Sequence, residues 1–107
     1  MGGEEGEART LAKRIMGQLL DDIRAAVNQD RYGVSNHADD RLRERDIELW
    51  QVIAGIDGAS LLAERLSHQP HPLVELEQTL PDGTPVKVVW AWVESHRLAV
   101  LVTVHYL

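Results

Sequence analysis

The hydrophobic rhythm of this chain changes once, at Pro70-His71-Pro72, and that change limits the folds open to it. Upstream, apolar residues recur at positions 8, 11, 12, 15, 16, 19, 20, 23, 26 and 27, the spacing of a long amphipathic helix. Downstream the period drops to two. Val74 and Leu76 alternate with Glu75 and Glu77, Pro81-Asp82-Gly83-Thr84 is a turn, and Pro85–Val93 is rich in β-branched and aromatic residues. Arg97–Leu107 is apolar on both faces, which places it centrally in a sheet. Helices first and hairpin-linked strands after predict an α+β domain, with N-terminal helices packed on a three- to four-stranded antiparallel sheet.

The helical half divides further. Residues 1–9 read as a flexible tail ahead of helix one, whose apolar band is predicted to bury Leu11, Ile15, Leu19 and Ile23. That band is wide enough to leave a surface for a homodimer. Asn28–Gly33 carries the stop signals, with Gly33 able to take positive φ. A second helix from about Asn36 is capped by Ser35 or Asn36, and Asp46 looks like the cap of a third, whose apolar side is Leu49, Trp50, Val52 and Ile53 and which Gly55 can close. Gly58–Leu66 suits a short helix by composition but lies between breakers.

With 107 residues and 44% hydrophobic content, the chain is sized for one domain with a modest core. It has no cysteine, so disulfides and thiolate metal sites are excluded. No apolar run approaches the roughly 20 residues that span a bilayer, and the acidic N-terminus is not a secretory signal, so the expectation is a cytoplasmic protein with no membrane contact. A net charge of −6 argues against a broad nucleic-acid surface and points to a basic partner. The acidity is not uniform. Residues 31–45 hold four arginines against three acids.

That basic stretch carries the best candidate site. In a helix starting near Asn36, His37, Arg41 and Arg45 fall at i, i+4 and i+8, nearly above one another, while Ala38 and Leu42 form an apolar stripe beside them. An imidazole can move a proton, and guanidinium forks hold phosphate. The bland alternative is a helix surface on which these arginines pair with Asp39, Asp40 or Glu44. Alternation puts Thr103 and His105 on one face of the last strand and Val104 with Tyr106 on the other. His68 and His71 read as loop residues, because Pro70 breaks any helix that would align them for metal. Trp90 and Trp92 share a face, either as a base-stacking platform or, more commonly, as core.

The run Ser35-Asn36-His37-Ala38, then Arg41-Leu42, Arg45 and Ile47, resembles the opening signature of a bacterial family of unknown function, DUF4258, with the pattern S-x-H-x-x-x-R-[LM]-x-x-R-x-I. Thr103-Val104-His105-Tyr106 resembles its closing T-x-Y with one residue added. The resemblance implies a RelE-like or barnase-like toxin fold, in which Gly58–Leu66 is a first strand. It also implies an antitoxin protein as partner and a metal-independent endoribonuclease with no cofactor, acting on RNA. His37 is then the proton-transfer group, Arg41 and Arg45 stabilise the transition state, Tyr106 orients substrate, and Lys87 and Ser35 contact RNA. Many members carry His where this chain has Lys87, so a second imidazole would have to come from His105. The contrasting expectation is a non-catalytic interaction module that keeps the fold and works through protein contacts.

Overall fold

The computed structural model describes residues 17–107. Leu11 and Ile15, and with them the first half of the expected helix one, lie outside the described residues. Helix α1 spans Leu19–Asn28, and it turns Leu19, Leu20, Ile23, Ala26 and Val27 into the core. Both predicted core residues that can be judged, Leu19 and Ile23, are fully buried. At roughly 1.5–3 kcal/mol for each large apolar side chain, this stripe is a main source of the helix's attachment. The left-handed residue after α1 is Asp30, not Gly33. Gly33 instead lies in a strand that the sequence did not reveal, β1, Tyr32–Val34.

Helix α2 follows at Asn36–Glu44 and α3 at Leu49–Ala54. The cap of α3 is Glu48, reciprocally bonded with Gln51, whereas Asp46 takes a positive φ of 54° in the turn before it. Gly55 closes α3 as expected. A Cβ at Gly55 would sit 2.8 Å from the Gln78 amide nitrogen, which donates to the Val52 carbonyl. Val52 is buried, but Trp50 points outward and is 60% exposed.

Strands β2 (Ser60–Arg65), β3 (Leu73–Thr79), β4 (Pro85–Val93) and β5 (Leu98–Tyr106) complete one sheet in the order β1-β5-β4-β3-β2. The Gly58–Leu66 stretch thus carries a strand over Ser60–Arg65 rather than a helix. The architecture is α+β with a mostly antiparallel sheet, as expected. It has five strands instead of three or four, because β1 adds itself parallel to β5. That extra edge is what makes β5 an interior strand.

One face of the sheet carries Val74, Leu76, Val86, Val88, Trp90, Trp92, Leu101 and Val104, all buried in the same core as α1. Both tryptophans are therefore core, not platform. The opposite face has no helix on it among the described residues. A bulge at Val102 of β5 sets which residues reach that face, since Val89 pairs with Thr103 but Trp90 pairs with Leu101. The extra residue lets Leu101 and Val104 both face the core and turns Thr103 and His105 to the open side. No described helix is long and apolar enough to cross a membrane.

Candidate functional site

Ser35 builds the site's first wall. Its hydroxyl accepts from the Ala38 amide at 3.0 Å, capping α2, and donates to the Val102 carbonyl at 3.1 Å. Its amide donates to the Leu101 carbonyl. One residue thus pins the start of α2 to the bulge of β5. Ala38 and Leu42 are buried on the side facing the core, and His37 and Arg41 rise on the neighbouring side. Arg45 stands one residue past the helix as its C-cap.

Across from α2, His105 and Lys87 are direct cross-strand neighbours on the open face. The His105 imidazole is held below its ordinary value, first by burial and then by the positive charges of Arg45, Lys87, His37 and Arg41. The structure therefore gathers the sequence-predicted His37, Arg41, Arg45 and Lys87 around His105. Two imidazoles and three permanent cations share one corner, where α2 meets the end of β5.

The cations are not all free. Arg41 pairs with Glu44, and Arg45 approaches the same carboxylate at 3.8 Å. Lys87 contacts Glu75 at 2.5 Å, and Arg65 of β2 closes on the other Glu75 oxygen. Glu75 is nearly buried, and its carboxyl is held below the usual range. The Lys87 hydrogen bond is the largest cause, opposed by burial and reinforced by Arg65. Sequence reasoning missed Glu75, which looks like the solvent side of an alternating strand. Its signal was register, because the turn at residues 81–84 brings it one step diagonally from Lys87.

Two expected residues play a different part. The Ser35 hydroxyl is engaged with the fold through both bonds described above. Tyr106 lies on the opposite face of β5 from His105, and its hydroxyl donates to the Arg45 carbonyl, so it bears on the site through the end of α2. Among the described residues, no group of three or more His, Cys, Asp or Glu side chains is arranged to hold a metal ion.

Fold and site together define a small α+β domain with a cationic, imidazole-bearing corner on an open sheet face. The chain belongs to a family described as a domain of unknown function, DUF4258, whose model matches residues 34–106. That span runs from the end of β1 to the end of β5, so it includes every residue of the corner. No curated protein and no solved structure matches the chain.

Proposed function

We propose that this protein is a metal-independent endoribonuclease of the RelE-like toxin type. What supports the reading above all is His105, set beside His37, Arg41, Arg45 and Lys87, with its imidazole held below its ordinary value first by burial and then by those positive charges. A neutral imidazole can accept a proton at pH 7. In the proposed reaction the ribose 2′-hydroxyl oxygen attacks the adjacent phosphorus while His105 takes its proton. The phosphorus–O5′ bond breaks, and His37 gives a proton to the departing 5′ oxygen. The products are a 2′,3′-cyclic phosphate and a 5′-hydroxyl. Arg41, Arg45 and Lys87 offset the charge that builds on the non-bridging oxygens. Tyr106 acts as a positioning residue, fixing the Arg45 backbone.

The toxin reading brings a protein antitoxin with it, one that neutralises the corner by covering the open face. The test is induced expression of the wild type beside His37→Ala and His105→Ala, scoring growth and RNA integrity, together with cleavage by the purified proteins. Loss of either imidazole should lower the cleavage rate by roughly 10²–10⁴. His37 is exposed, so His37→Ala should leave the melting temperature nearly unchanged. EDTA should have no effect. Wild-type protein that neither arrests growth nor cleaves RNA refutes the reading.

A second reading has its own support. Glu44 and Glu75 already neutralise much of the cationic corner, and the exposed Trp50 lies beside Leu49, Ile53 and Tyr32 in a shallow apolar groove. Both suit a non-catalytic interaction module, and an inactive wild type would favour it.

A further inference from the structure

The open sheet face has two ends of different chemistry. The end near α2 holds Lys87 and His105. Toward the other end of the strands, Leu73 of β3, Ala91 and Val93 of β4, and Val100 and Val102 of β5 line an apolar trough of about 380 Å³. His68 and His71 stand at its rim, and the His68 ring is held by the His71 carbonyl at 3.0 Å. Lys87 and Ala91 are four residues apart on one strand, or about 13 Å at the usual rise.

Thr103 lies between the two ends, on the same face as His105. It is only 9% exposed, and its hydroxyl has no hydrogen-bond partner among the described residues. A buried hydroxyl left in that state costs free energy until a ligand or solvent reaches it. Charge at one end, an unpartnered hydroxyl in the middle and an apolar hollow with imidazole rings at the far end repeat the order of phosphate, sugar and base within a single nucleotide. Proteins that read single strands use the same combination, a cationic groove with flat or apolar surfaces for splayed bases.

We propose that the trough between Leu73, Ala91, Val93, Val100 and Val102 is a nucleobase subsite, taking one unstacked base of a single-stranded RNA whose phosphate lies at Lys87 and His105. The proposal rests on the ribonuclease reading and adds to it the substrate class, single-stranded rather than duplex RNA. The base in the hollow must leave its stack, which a paired strand resists. The bound nucleotide then lies along β4 and β5, its phosphate at Lys87 and its base in the trough.

The test is fluorescence anisotropy with three probes that cannot be cleaved: a short 2′-O-methyl oligoribonucleotide, the same strand with abasic positions, and its duplex. The intact single strand should bind about tenfold more tightly than the abasic strand, within the range that stacking one base contributes. Val100→Asp should collapse that ratio toward one, and Val102→Asn, on another part of the wall, should do the same. Circular dichroism checks that each variant is folded. Taking the ratio cancels the electrostatic effect of the new charge, because both strands carry the same phosphates. Lys87→Ala should weaken both strands alike. A ratio near one in the wild type, a ratio untouched by both trough variants, or equal affinity for the duplex overturns the subsite while leaving RNA binding in place. If no strand binds the wild type, the ribonuclease reading itself fails. A wild type that is dimeric and becomes monomeric on Val100→Asp assigns the trough to a second copy of the chain and also overturns the proposal.

Discussion

Replacing Glu75 with glutamine removes one negative charge from between Lys87 and Arg65 and changes almost nothing in shape. Breaking a fully buried ion pair costs about 3–5 kcal/mol. Here the Glu75 side chain is 9% exposed, but Lys87 is 33% and Arg65 57% exposed, so both cations stay partly solvated in place once the carboxylate is gone. The expected loss is therefore smaller, about 1–2 kcal/mol at pH 7. For a domain of this size that corresponds to a fall in melting temperature of roughly 4–8 °C per kcal/mol. The loss must depend on pH in one direction. Because the folded carboxyl lies below its ordinary value of 4.5, its stabilisation is fully present above that value and disappears as pH falls through the depressed folded value. Urea unfolding followed by the buried Trp90 and Trp92 should show wild type and Glu75→Gln separated at pH 7 and converging in acid. The same substitution leaves the Lys87 cation uncompensated beside His105, so NMR titration should find the imidazole pushed further down. A gap of equal size at pH 7 and pH 3, or a His105 that does not move, would refute this account of the triad.

Three other outcomes follow from the same geometry. Ser35→Ala loses both the α2 cap and the bond to the Val102 carbonyl and should cost about 1–2 kcal/mol in chemical denaturation, where a cap alone is worth about 1. Gly55→Ala drives a methyl into the Gln78 amide and should cost about 1–3 kcal/mol by displacing its bond to Val52, although the backbone there suits alanine; thermal melts decide it. Glu64 is raised above its ordinary value, first by burial and then by Asp21, so its charged form is disfavoured in the fold. Glu64→Gln should raise the melting temperature at neutral pH, and the gain should vanish below the ordinary glutamate value, where both forms are uncharged.

The parts of this domain that were readable in advance are those governed by neighbours in the chain. The i, i+4 spacing of His37 and Arg41, the Ser35 cap, the Asp82-Gly83 turn and the two-residue rhythm of β3 to β5 are local, and each is present. What escaped is set by distant partners. Three residues, Tyr32–Val34, are too few for a period to register, and they become a strand only because β5 lies alongside. Glu75 reads as a solvated position, and its burial comes from cations ten and twelve residues away, on the adjacent strands. Trp50 fits the helical apolar side by spacing, but α3 is under two turns long and buries Val52 in preference. His105 was legible as a candidate, and the arrival of α2 beside it was not, because that depends on the Val102 bulge.

The parallel pairing of β1 with β5 also fixes an order of events during synthesis. Residues 32–34 leave the ribosome more than sixty positions before β5, their strand partner, and Ser35 must wait for the carbonyls of Leu101 and Val102. Strands β2, β3 and β4 can zip in sequence by neighbouring hairpins, but β1 and the start of α2 lack their hydrogen-bond partners on β5 until residues 98–106 have cleared the exit tunnel. His37 and His105 therefore cannot meet before β5 has emerged, and a nascent chain short of it lacks the corner.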